Sequence, residues 1–135
     1  MKIICVGQNY LEHIKELSNV KSKEPLVFLK PDTALISKGR SFFIPNFSKE
    51  IHYELEVVIK IKKPGRYIER KFSSQYYDEI TVGIDFTARD LQKNLREKGH
   101  PWEKSKGFDG STLVGNFLNK HDLPPISNLN FHLLK

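Results

Sequence analysis

The chain has 135 residues, 39% hydrophobic and 28% charged, a composition that can bury a core and excludes a disordered tail. No apolar run approaches the roughly 20 residues of a membrane-spanning helix, and the opening MKIICVGQNY turns polar too soon for a secretory signal. Cys5, the only cysteine, excludes an internal disulfide, so the expectation is one domain, 1–135, in a reducing cytoplasm.

In chain order, KIICVG predicts a buried first strand and NYLEHIKEL a short helix. Asn9 caps that helix, Glu12 sits at the capping-box position, and Tyr10, Ile14 and Leu17 form its apolar stripe. EPLVFLKP reads as a strand between two prolines, and ALISKG and SFFIPNF as short strands around a turn at Gly39. IHYELEVVIKIK, residues 51–62, alternates strictly, with Ile51, Tyr53, Leu55, Val57, Ile59 and Ile61 on one face and His52, Glu54 and Glu56 opening the other. A Pro64–Gly65 turn follows. EITVGIDFTARDLQKNLREKGHPW predicts a strand feeding a helix capped by Thr87 with Asp90 at the box position, ended by Gly99 and Pro101. A loop through Pro124–Pro125 leads to a last strand, LNFHLLK, which needs either an earlier strand or further chain as its partner.

The net charge of +6 raises the question of nucleic acid. The lysines are scattered, however, and the densest cluster, KIKKPGRYIERK, reads as a solvated hairpin tip.

Glu54 and Glu56 lie two positions apart on one strand, their Cα atoms about 6.5–7 Å apart. Parallel carboxylates repel, and more so as water is removed. Solvent exposure relieves that repulsion, and so does a bound cation. Asp85, in the otherwise apolar stretch VGIDF, is a third carboxylate on a second strand. Three carboxylates from two strands would favour a hard ion, Mg²⁺ or Mn²⁺, over Zn²⁺. The spacing alone leaves a wet strand face and a metal site both open. His13 and Glu16, at i and i+3, share a helix face, where a glutamate can orient an imidazole as a base. Lys106 stands beside a glycine in EKSKGFDG. Taken singly, both features are also ordinary surface chemistry.

Five ordered stretches, CVGQNYLEHIKEL, EPLVFLKP, HYELEVVIKI, GIDFTARDLQ and GHPWEKSKGFDGSTLVG, resemble the fumarylacetoacetate hydrolase family, particularly its small single-domain members. The resemblance implies an α+β, mainly β fold: a mixed β-roll of the C-terminal-domain type with short lid and mouth helices, usually dimeric. It implies that Glu54, Glu56 and Asp85 hold Mg²⁺ or Mn²⁺. His13 and Glu16, on a lid helix, become the water-activating pair, Lys106 contacts substrate or its developing charge, and Arg89 and Gln92 lie near the substrate carboxylate. Family members of this type continue beyond the point matching LNFHLLK, so the expectation here is the N-terminal portion of the catalytic domain and an incomplete roll.

The implied activity is divalent-metal-dependent chemistry on 2-oxo acids of the acylpyruvate type, with C–C bond hydrolysis as the leading expectation and oxaloacetate decarboxylation, tautomerisation or diacid isomerisation as alternatives. The expected partners are a small 2-oxo acid and a second copy of the chain, with no nucleic acid and no membrane. Two readings of other classes remain: a catalytically inert remnant of the family, and a basic nucleic-acid-binding module whose affinity would fall steeply with salt.

Overall fold

Clean alternation over 51–62 does produce a long strand. The computed structural model describes residues 1–10 and 24–134, so most of the helix expected over 9–17, with His13 and Glu16, lies outside the described residues. The described strands are β1 (Ile3–Gly7), β2 (Leu26–Lys30), β3 (Ile51–Ile61), β4 (Tyr77–Ala88), β5 (Thr112–Val114) and β6 (Leu118–Asn119). The described helices are α1 (Arg89–Glu97) and the single turn α2 (Glu103–Lys106), with 3₁₀ turns between elements. The fold is α+β and mainly β. Among the described residues, no helix is long and apolar enough to cross a membrane. Contacts divide the chain into two compact units, Met1–His52 with Phe86–Ser111, and Tyr53–Asp85 with Thr112–Lys135.

In the first unit β1 and β2 pair antiparallel, with Cys5 opposite Phe28 and Ile3 opposite Lys30. The inner face buries Phe28 and Lys30, while Ile4, Val6, Val27 and Leu29 on the other face are exposed. The first strand is therefore half-buried and not the buried strand expected, because it belongs to a two-stranded ribbon with one face uncovered. Aromatic contacts pack this unit: Phe42 stacks on Phe86 at 3.7 Å between centroids, Phe47 meets Phe108 edge-on at 5.3 Å, and Phe28 tilts against Trp102 at 5.9 Å.

The helix after β4 starts later than its sequence suggests. Thr87 is a fully buried strand residue, Ala88 takes the cap position, and no side chain caps the helix. Asp90 reaches back instead to Ser48 and Lys49. The helix end follows expectation. Gly99 takes φ +64°, its N–H bonds Arg96 O at 3.1 Å, and His100 N–H bonds Leu95 O at 2.8 Å, which is a Schellman motif.

In the second unit β4 lies between β3 and β5, and β6 also pairs with β4. Lys62 N–H bonds Tyr76 O at 2.9 Å, and Lys60 and Lys62 pair with Glu79 and Asp78, so β3 and β4 run antiparallel. The connection over 62–76 is exposed almost throughout, as expected of a hairpin tip, but it includes a 3₁₀ turn, Arg70–Tyr76. On the other side Gly83 faces Val114 and Ile80 faces Leu118. Four steps from Val114 to Leu118 thus match three from Gly83 to Ile80, which is a β-bulge. The Thr81 hydroxyl bonds Asn116 O across it at 2.9 Å.

Three expected strands are not formed. Ala34 closes a 3₁₀ turn, Asp32–Ala34, and Leu35 makes only an isolated bridge. Residues 41–45 are irregular, since Phe42 turns to stack on Phe86 and Pro45 has no N–H for a ladder. Residues 129–134 follow a 3₁₀ turn, Ile126–Asn128, with no regular structure and no ladder partner among the described residues.

Candidate functional site

The second unit holds the three carboxylates. A Cβ added to Gly83 would meet the Val58 side chain at 2.9 Å and Leu113 O at 2.8 Å, so Gly83 and Val58 face the same side of the sheet. By alternation Glu54 and Glu56 lie on Val58's side and Asp85 on Gly83's, which puts all three on one face. Asp85 also stands directly opposite Thr112 on β5. This face is the more enclosed one. Thr81, Gly83 and Asp85 are buried and Glu54 and Glu56 half-buried, whereas Val82 on the apolar face is 38% exposed. A wet strand face is therefore not what Asp85 occupies.

Among the described residues, the buried hydroxyl of Thr112 and the Oδ1 atom of Asp85 have no hydrogen-bond partner, although Asp85 has other interactions. Oxygen-only donors on an enclosed face fit a hard dication chemically. Among the described residues, however, no three His, Cys, Asp or Glu side chains form a group that could hold a metal ion. The three carboxylates thus share a face without being gathered into a ligand set.

The first unit holds the basic groups. Lys106 ends α2, is 2% exposed, and its ammonium lies over the Phe28 ring at 5.5 Å from the centroid. Lys30, 3% exposed, donates to Ser111 O at 2.8 Å and Ser111 Oγ at 3.3 Å. Ser111 Oγ in turn donates to Lys106 O at 2.7 Å, and Phe86 N–H bonds Ser111 O at 2.9 Å. One buried serine thus ties β2, β4 and the carboxyl end of α2 together. Arg89 and Gln92 lie one helical turn apart on α1, and Arg89 Nη1 donates to Oε1 of Gln92, itself 5% exposed. Arg89 Nε donates to His52 Nδ1 at 3.3 Å, and His52 Nε2 lies 3.0 Å from Glu50 Oε1.

Asp90 anchors this end of α1. Its carboxylate accepts from Ser48 Oγ at 2.5 Å, from Lys49 N–H at 3.0 Å and from Leu91 N–H at 2.8 Å. The Ser48 hydroxyl foremost, then the backbone N–H groups, holds its pKa below the ordinary aspartate value of 3.8. A depressed native value means the ionised carboxylate stabilises the fold above the unfolded pKa, and this contribution is lost as pH falls through the native one. Denaturation midpoints should therefore drop as pH is lowered past about 4, and Asp90→Asn should flatten that part of the profile while lowering stability at neutral pH. An unchanged acid limb in the variant would remove Asp90 from this role.

The match to known proteins is extensive. The family model described as fumarylacetoacetate (FAA) hydrolase C-terminal matches residues 2–134. The chain belongs to the fumarylacetoacetate hydrolase family. It is 34% identical over 131 residues to the mitochondrial oxaloacetate tautomerase FAHD1 of Bos taurus, covering 97% of this chain and 59% of that protein. It is 37% identical over 123 residues to the mitochondrial oxaloacetate tautomerase fahd-1 of Caenorhabditis elegans, covering 91% of this chain and 58% of that one. The crystal structure of fumarylpyruvate hydrolase from Pseudomonas aeruginosa in complex with Mn²⁺ and pyruvate superposes with a TM-score of 0.81 at 34% identity, over 90% of this chain and 54% of that one. The chain thus spans little more than half the length of these relatives.

The stretch matched as a fumarylacetoacetate hydrolase C-terminal domain includes every residue singled out above. Sequence reasoning passed over Lys30, Ser111 and Glu50, and noted His52 only as the neighbour of two glutamates. A signal existed for Lys30. In LVFLK it shares a face with Leu26 and Phe28, and a lysine on the inner face of a strand is costly unless bonded.

Proposed function

We propose that this chain forms part of a divalent-metal-dependent enzyme that acts on 2-oxo acids, hydrolysing the C–C bond of an acylpyruvate-type substrate. The observation that carries this reading is Asp85, buried on the same sheet face as Glu54 and Glu56 in a chain of this family. The Mn²⁺ and pyruvate named for the Pseudomonas aeruginosa relative support both the ion and the substrate class.

Glu54, Glu56 and Asp85 are the proposed ligands of Mg²⁺ or Mn²⁺. Such an ion, when bound, supplies Lewis acidity toward the oxygens of a 2-oxo acid. Arg89, its guanidinium oriented by Gln92, holds a substrate carboxylate, a role suited to its planar fork of donors. The ammonium of Lys106, buried over Phe28, offsets negative charge developing on the substrate oxygens. His13, backed by Glu16, takes the proton from the water that attacks the remote carbonyl. The products are then pyruvate and a carboxylic acid. Tautomerisation of oxaloacetate is the second reading, favoured by the two named tautomerase relatives. It needs proton transfer but no water attack.

The test is to incubate the chain with Mn²⁺ or Mg²⁺ and acetylpyruvate, fumarylpyruvate or oxaloacetate, following the enol absorbance and pyruvate release. Hydrolysis predicts EDTA-sensitive loss of an acylpyruvate with stoichiometric pyruvate. Loss of oxaloacetate enol without pyruvate would select tautomerisation. Turnover of none of them with either metal would leave the inert reading standing.

A further inference from the structure

We propose that His52 is a positioning residue that sets the orientation of the Arg89 guanidinium, with Glu50 fixing the tautomer of His52. Its consequence for turnover rests on the reading of Arg89 as the carboxylate-binding group. Its geometry does not.

Glu50 and His52 are two residues apart where the chain enters β3, so their side chains can meet along one side. Arg89 opens α1, and its backbone N–H bonds Glu50 O at 2.8 Å, which pins the first turn of the helix to that point. The side chains repeat the connection. A guanidinium can only donate, so His52 Nδ1, 3.3 Å from Arg89 Nε, must be the acceptor. The single ring proton then sits on Nε2, where Glu50 Oε1 takes it at 3.0 Å. A carboxylate on Nε2–H makes Nδ1 a better acceptor, as in any polarised chain of hydrogen bonds.

Arg89 is thus held from two different nitrogens, Nε to His52 and Nη1 to the buried Gln92. Two such bonds define the plane of the group and not merely its place. A long, rotamer-rich side chain is thereby ordered before any ligand arrives, and prior order is what makes bidentate recognition of a planar carboxylate effective.

The position argues against a role in stability. The side chains of His52 and Glu50 are 43% and 54% exposed, and a hydrogen bond that open to solvent contributes little to folding. What an ordinary surface pair lacks is the third member, an arginine on a separate element receiving the imidazole's second nitrogen.

Two measurements on the ¹⁵N-labelled chain test the proposal. A long-range ¹⁵N–¹H spectrum should show His52 protonated at Nε2, and the Arg89 Nε–H resonance, assigned by its loss in Arg89→Lys, should shift in His52→Leu. His52→Asn, whose Oδ1 takes the place of Nδ1 as acceptor, should restore it, and Glu50→Ala should shift it in part. In parallel, oxalate binding in the presence of Mn²⁺ should weaken about tenfold in His52→Leu, the factor for loss of about one hydrogen bond, and recover in His52→Asn. Acylpyruvate turnover, where present, should show the change in KM and not in kcat. Thermal midpoints should stay the same in all of them. A proton on Nδ1, or an Arg89 signal indifferent to His52→Leu, overturns the proposal. Unchanged oxalate binding in Arg89→Lys, with the Arg89 resonance still following residue 52, overturns the carboxylate reading and upholds the positioning.

Discussion

Glu56→Ala should lower Mn²⁺ affinity and metal-dependent turnover by about two orders of magnitude or more, the scale on which one preorganised electrostatic group acts. Glu54 and Glu56 stand side by side and half-buried on β3, and Asp85 is buried on the same face of β4. Added Mn²⁺ should raise the wild-type midpoint and leave that of the variant where it was. That difference distinguishes a metal site from a structural carboxylate, whose removal would leave any stabilisation by Mn²⁺ in place. Mn²⁺ binding followed by electron paramagnetic resonance decides the matter, and an affinity unchanged in Glu56→Ala would end the assignment of these carboxylates to a metal.

Much of this was legible in the sequence because strand alternation is a two-residue rule that survives almost any context. IHYELEVVIKIK became β3, and the strand through VGIDF became β4, with Asp85 where alternation placed it. Alternation cannot say which face is enclosed. Tyr53, Ile59, Ile61 and Val82, on the faces that look like core, are exposed, and the face with the acids is the more enclosed one. Glycine spacing carried information that a pattern of apolar residues did not. Gly83 is small because β3 and β5 close in on it, and that contact shows the carboxylates share a face. Local capping rules failed at Thr87, where β4 runs through to Ala88 and Asp90 is recruited by a loop more than forty residues away. The cluster of Lys30, Ser111 and Lys106 joins residues 81 positions apart. No local pattern can register such a contact, and only the oddity of a lysine on an inner strand face announces it.

The two buried lysines should separate cleanly under mutation. Lys106→Met keeps the alkyl stem against Phe28 and removes only the ammonium, so the fold should hold while acylpyruvate turnover falls about 10²–10³-fold, as for loss of a preorganised donor to a developing negative charge. Lys30→Ala should do its damage to the fold. It deletes a stem buried beside Phe28 and the charge-assisted bonds to both oxygens of Ser111, at a cost of about 3 kcal/mol. Part of the penalty is already limited, because Ser111 O keeps the Phe86 N–H when the lysine is gone. Lys30→Met, which restores the stem but not the bonds, should therefore recover more than half of the lost stability. Ser111→Ala removes the hydroxyl that accepts from Lys30 and donates to Lys106 O, and should resemble Lys30→Met in denaturant unfolding. If the serine acts as the physical link between the two lysines, it should also lower turnover modestly by loosening the end of α2. Should Lys106→Met unfold the protein, or Lys30→Ala leave its denaturation midpoint in place, the division of labour is wrong and the two ammonium groups act as one structural pair.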